Sequence, residues 1–222
     1  MNKVVKKIIV AGFALLFTAI MPLQVFGKNL GTLTYWDDNE KDAVGRWGES
    51  STSIPSGVRV NKLNNNDKFY FTEGFAHAFR QWGGAMNRTF LKSAAQTTHI
   101  NYYGGTASQI NSTHVFNSEV GGELGITYIT FNREGTWQYG SSTKKGNIIT
   151  YAKGYVVDYS GRNINSYRNT CTHEFGHALG WEGHTSDTES VMYPTDAYTN
   201  ITLSFIDKRH LQQVYNIRTD YK

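Results

Sequence analysis

The sequence predicts an α+β domain, one β-sheet backed by helices, and three observations carry that reading. Between Thr72 and Phe90 the apolar residues Phe75, Ala78, Phe79, Trp82 and Met86 recur at helical spacing, the mark of an amphipathic helix lying on a core. Four stretches read instead as strands: Val58 to Leu63, His99 to Tyr103, Gly121 to Phe131 and Asn147 to Tyr159. The third of these alternates apolar and polar residues near its end, as a half-buried strand does. The last observation is Thr172 to Pro194, THEFGHALGWEGHTSDTESVMYP, in which a helix gives way to a glycine bend and then a tight turn.

Taken in order, residues 1–27 read as a signal peptide. Lys3, Lys6 and Lys7 precede an apolar run from Ile8 to about Met21, and Val25-Phe26-Gly27 supplies the cleavage positions. The run is shorter than the twenty or so apolar residues that cross a bilayer, so export with cleavage after Gly27 is expected. The whole chain carries 22 basic and 18 acidic residues. Removing the three leader lysines leaves 19 against 18, or about +1, a balance that does not argue for a nucleic-acid partner. Residues 28–55 are polar and read as an N-terminal extension or short pro-segment, with Leu30 to Trp36 alternating like a strand. Residues 56–222 read as one domain, long enough for its own core. Cys171 is the single cysteine, so no disulfide forms within the chain and the thiol is expected to be buried.

Val58 to Leu63 opens the sheet and the helix of Thr72 to Phe90 backs it. His77 falls off the apolar stripe of that helix and is expected at the surface. Gly104-Gly105 ends the strand of His99 to Tyr103, and Gly154 is expected to break the strand of Asn147 to Tyr159. A loop at Gly161 leads into a helix starting near Ser166, and this helix carries the chemistry.

Its residues His173, Glu174 and His177 stand in the order H-E-x-x-H. Positions four apart on a helix share one face, so two imidazoles can grip one ion. Glu174 lies beside the first and cannot point the same way, which leaves it to act on water as a general base. Gly180 allows a left-handed end to the helix and swings the chain back. His184 can then supply a third imidazole and leave a tetrahedral position open, the arrangement of catalytic rather than structural zinc. Glu182 and Asp187 are the alternatives, either of which would make a site of two histidines and a carboxylate. Met192 follows in the turn Ser190-Val191-Met192-Tyr193-Pro194.

HEFGHALG, a following histidine and VMYP together resemble the metzincin zinc proteases, with their H-E-x-x-H-x-x-G-x-x-H pattern and later Met-turn, and among these the matrixins. The similarity continues through Leu203 to Asp207 and Leu211 to Tyr215, which resemble the closing helix of matrixin catalytic domains. Upstream, Ala78-Phe79-Arg80-Gln81-Trp82 resembles their Trp-bearing first helix. The resemblance implies a metzincin-like zincin fold: a twisted mixed sheet, an active-site helix, a Met-turn and a C-terminal helix. It implies zinc as cofactor, leaves calcium open, and makes Met192 a hydrophobic floor under the ligands. It also makes Gly121 to Phe131 the edge strand above the cleft, which would hydrogen-bond an extended peptide, with Gly122, Leu124 and Tyr193 lining the substrate's path.

One departure stands out. The family places two residues between the glycine and the third histidine, whereas Trp181, Glu182 and Gly183 intervene here. Gly183 has no side chain to offer, so the extra residue reads as a bulge and His184 remains the expected ligand. No His-x-Asp spacing marks a second zinc, His99 and His114 are unassigned, and His210 is expected to be solvated. The resulting expectation is a secreted, monomeric, extracellular zinc endopeptidase acting on peptide or protein substrates, with no nucleic acid partner and no membrane after cleavage. The alternatives are a zinc hydrolase of a non-protein amide or cell-wall peptide, and a catalytically silent binding module.

Overall fold

The computed structural model describes residues 7–11, 45–48, 51–95, 98–113, 123–139, 142–181, 183–194 and 201–215. In chain order these give strands β1 (Lys7–Ala11), β2 (Gly45–Arg46), β3 (Gly57–Lys62), β4 (Leu91–Lys92), β5 (Ile100–Gly105), β6 (Gly125–Tyr139) and β7 (Ser142–Val157). The helices are α1 (Phe71–Met86), α2 (Ala107–Ser112), α3 (Ile164–Ala178) and α4 (Phe205–Val214). The expected strand of Leu30 to Trp36, and the positions Gly122, His114 and Glu182, lie outside the described residues.

All seven strands join one mixed sheet in the order β1-β6-β7-β5-β3-β4, with β2 also pairing β7. Strands β3, β5 and β7 run parallel. β6 returns antiparallel along β7, and β1 lies antiparallel on the other side of β6, Lys7 opposite Thr130 and Ala11 opposite Ile126. The sheet is therefore mixed, as expected, but its hairpin is much longer than the sequence suggested. β6 and β7 stay paired from Gly125–Val156 out to Tyr139–Ser142, with register shifts around Phe131.

One face of the sheet carries Val58, Val60, Ile100, Tyr102 and Ala152 into a single core with Phe75, Phe79 and Trp82 of α1 and Tyr167, Cys171 and Phe175 of α3. Its rings meet edge to face, Phe79 and Phe90 each lying 5.0 Å from Phe175, the geometry aromatic quadrupoles favour. Trp82 Nε1 donates to the Thr172 carbonyl at 2.8 Å, tying α1 to α3 just ahead of the histidines. Trp47 and Ile54 also lie in this core, and Trp47 Nε1 donates to the Ala178 carbonyl at 2.8 Å. A smaller cluster of Ile110, Ile126, Tyr155 and Val157 sits under α2. That helix begins with a reciprocal Thr106/Gln109 capping box, a T-x-x-Q signature the sequence displays.

Three expectations need correcting. Gly154 does not break its strand. A Cβ there would fall 2.3 Å from Cε1 of Tyr102, so the glycine lets a ring pass beneath a continuous β7. His77 is buried rather than at the surface, its Nε2 against the Ile201 carbonyl, because the segment near Leu203 also covers α1, with Leu203 N donating to Gln81 Oε1. His210 is buried rather than solvated, its ring stacked on Trp181 at 3.5 Å. Cys171 is fully buried; burial pushes its thiol well above the usual range.

Candidate metal centre

Helix α3 starts at Ile164 under the cap of Asn163, whose side chain accepts from the backbone N–H of Asn165 and Ser166. It ends in a Schellman arrangement, with Trp181 N donating to Gly176 O at 3.1 Å and Gly180 N to His177 O at 3.0 Å. Gly180 adopts φ +110°. A Cβ on it would lie 2.2 Å from the Gly45 carbonyl oxygen, so only glycine fits between the helix end and β2.

The bend carries His184 back to the helix. His173 Nε2 lies 3.0 Å from His177 Nε2 and 3.1 Å from His184 Nε2. Among the described residues these three histidines are the group able to hold a metal ion, one ligand atom from each lying within 4.8 Å of the others. Asp187 is not in the group. Gly183, at φ +72° with open space around it, absorbs the extra residue of the loop.

The other ring nitrogens show what the cluster fits. His173 Nδ1 lies 2.8 Å from Val191 O and His177 Nδ1 lies 2.8 Å from Trp181 O. A carbonyl can only accept, so each Nδ1 carries the hydrogen and each Nε2 of a neutral ring is a bare lone pair. Two such lone pairs 3.0 Å apart repel, and His184 has at most one proton to place among three nitrogens. Nor do the rings take up more. Burial, with His184 alongside, brings His173 down to about 3, burial brings His184 down to about 4, and His177 is well below its usual range for the same reason. Three neutral, converging imidazoles are the donor set of a divalent transition metal, and their backbone partners hold the ligating tautomer.

Glu174 is buried beside this cluster. Burial pushes its carboxyl up to about 8, opposed by a hydrogen bond from the Thr127 hydroxyl to Oε2 at 2.7 Å. A dication nearby would pull it down again. Under the helix, Met192 is fully buried with its thioether against Gly176, where a Cβ would come 2.6 Å from Sδ. Its carbonyl accepts from Thr185 N at 3.1 Å, coupling the Met-turn to the residue after His184.

Two positions escaped the sequence reading. Asp207, fully buried on α4, accepts from the hydroxyl of Ser190, from Val191 N at 3.0 Å and from Ser204 N at 2.8 Å, so it moors the turn that holds His173. Ser204-x-x-Asp207 was legible as a cap, but not its reach to Val191. Thr127 is a polar residue on an inward position of β6, and alternation from Ile129 could have flagged it. Of the expected substrate-contacting residues, Leu124 and Tyr193 are half-buried. The outer side of β6 from Ile126 to Thr130 is taken by β1.

Fold and site together define a metallopeptidase of the metzincin type. The chain belongs to the matrixin family, whose sequence model matches residues 57–216. Among solved structures it is similar to the crystal structure of myroilysin, at 14% identity and a TM-score of 0.39, over 82% of this chain and 95% of that one. No curated protein matches it in sequence.

Proposed function

We propose that the chain is a secreted zinc-dependent endopeptidase in which His173, His177 and His184 hold the metal and Glu174 is the general base. The observation that carries this reading is the convergence of three Nε2 atoms whose partners leave two of them unprotonated. Zinc held there supplies a Lewis acid that lowers the pKa of a water to about 7 and polarises a carbonyl. Glu174 takes the proton as water attacks the scissile carbonyl and passes it to the departing amine nitrogen. Met192 is the apolar floor that keeps the helix and the returning loop in register.

Substrate in this reading lies extended and antiparallel along β6, its backbone pairing with Ile126 to Thr130 past Gly122, Leu124 and Tyr193. Support comes from the chain's own Lys7–Ala11, which pairs antiparallel with that edge. Residues 1–27 act as leader, and their removal after Gly27 frees the edge; residues 28–55 form the N-terminal extension, whose Gly45–Arg46, Trp47 and Ile54 join the sheet and core of the catalytic domain. Among the described residues no helix is long and apolar enough to cross a membrane.

The test uses the chain from Lys28 onward, loaded with zinc and assayed on casein. One zinc per chain and hydrolysis that disappears in Glu174→Ala with zinc retained are expected. Absence of proteolysis by the wild type, or hydrolysis undiminished in Glu174→Ala, would sink the proposal.

A further inference from the structure

We propose that Thr127 is a positioning residue for Glu174: its hydroxyl holds Oε2 and thereby presents Oε1 as the oxygen that exchanges the proton. The inference rests on reading Glu174 as the general base. Thr127 is fully buried near the start of β6. Its Oγ1 lies 2.7 Å from Glu174 Oε2 and 3.0 Å from the Glu174 carbonyl oxygen. A hydroxyl has one hydrogen, and the carboxylate oxygen is the nearer of its two acceptors. Tyr102 OH donates to the Glu174 carbonyl at 2.6 Å, so that acceptor is served without the Thr127 hydrogen. Tyr102 OH and Thr127 Oγ1 are 3.1 Å apart, so the two hydroxyls form one seat under the residue.

The second oxygen is treated in the opposite way. Residues two apart on a strand face the same side, so Gly125 points at the same carboxylate from one step along β6. A Cβ there would come 2.9 Å from Glu174 Cγ and 3.0 Å from Oε1. Thr127 therefore supplies a donor to Oε2 while Gly125 leaves Oε1 uncrowded. A carboxylate whose two oxygens are made inequivalent in this way is fixed in its χ angles before substrate arrives, the ordering that catalysis by orientation requires. Valine has the shape of threonine and the same preference for strands, so Thr127→Val removes the donor with little change in packing.

The experiment compares zinc-loaded wild type, Thr127→Val, Thr127→Ser and Glu174→Gln on a fluorogenic peptide, with crystal structures of the first two. A hydrogen bond to a charged group, at about 1.5–3 kcal/mol, corresponds to roughly a tenfold to hundredfold fall in kcat for Thr127→Val. KM and zinc content should be unchanged, and Thr127→Ser should recover most of the loss. In the crystal, the Glu174 carboxylate of Thr127→Val should rotate or split between rotamers. An unchanged kcat, a Thr127→Ser variant no better than Thr127→Val, or a carboxylate unmoved in Thr127→Val would overturn the inference. If wild type and Glu174→Gln are equally inert, the endopeptidase reading fails instead, and the crystal comparison still decides whether Thr127 orients the side chain.

Discussion

The site is assembled from two halves built on different principles. His173, Glu174 and His177 ride on α3, where 3.6-residue periodicity sets their directions and the aromatic core around Phe175 and Trp82 fixes the helix itself. His184 and Met192 ride on a loop with no such periodicity. They are placed by single long-range anchors: Gly180 wedged against Gly45, Trp181 stacked on His210 and Asp207 bound to the Met-turn. Histidines on the helix thus inherit their precision from regular backbone, whereas the histidine on the loop obtains it from buried polar and glycine contacts that each fail separately.

The strongest way to break this contrast is at the ligands. His177→Ala and His184→Ala should weaken zinc binding alike. Zinc sites of four ligands bind with about 10–16 kcal/mol, so each ligand contributes about 3 kcal/mol and each loss lowers affinity roughly a hundredfold or more. Titration with a competing chelator reads this directly. A His184→Ala variant that keeps wild-type affinity would remove the loop half from the metal centre. Next in size is Asp207→Ala, which deprives Ser190, Val191 and Ser204 of their buried acceptor at a cost of about 3–5 kcal/mol. A fall of roughly 10 °C in Tm is expected by calorimetry, and Asp207→Asn, which keeps one acceptor oxygen, should fall less.

The same contrast explains what the sequence could and could not show. H-E-x-x-H was legible because spacing alone determines direction on a helix, and the strands around Val58, Ile100 and Ile126 were legible because their apolar runs lie on a buried face. The hairpin beyond Phe131 was not, since Arg133, Glu134, Lys144 and Lys145 interrupt any apolar pattern and its pairing comes from register alone. His77 and His210 were misplaced for one reason: helical periodicity describes one covered face, and α1 and α4 are each covered on a second side by loops. Thr127 and Asp207 were invisible as site residues because what they hold is distant in sequence, 47 residues away for Thr127 and Glu174.

The two glycines of the loop sharpen the comparison further. Gly180 has a left-handed φ and a carbonyl in the way; Gly183 has a left-handed φ and open space. Gly180→Ala should cost about 2–3 kcal/mol and loosen zinc, while Gly183→Ala should cost only about 1 kcal/mol, the strain of its backbone alone. Equal losses by denaturant titration would mean that the contact with Gly45 does not hold the helix end.

The smallest effect concerns pH, and it isolates the anchor at Trp181. Burial holds the His210 imidazole well below its usual range, so the folded protein keeps that ring neutral where the unfolded chain takes up a proton near pH 6.5. Unfolding then binds the proton, and stability falls as pH drops below about 6.5, by up to about 1.4 kcal/mol per pH unit from this one group. His77, His173, His177 and His184 are lowered as well and act in the same direction, so the test is a difference. His210→Phe keeps a ring against Trp181 while removing the titration. Its stability at pH 8 should stay close to that of the metal-free wild type, and its slope between pH 6 and pH 5 should be shallower by about one proton. Because the Trp181 carbonyl orients His177, the same variant should also retain zinc to lower pH than the wild type. Parallel slopes for the two proteins would show that acid acts through His77 and the ligand histidines without His210, and that the stack on α4 is packing without consequence for the metal centre.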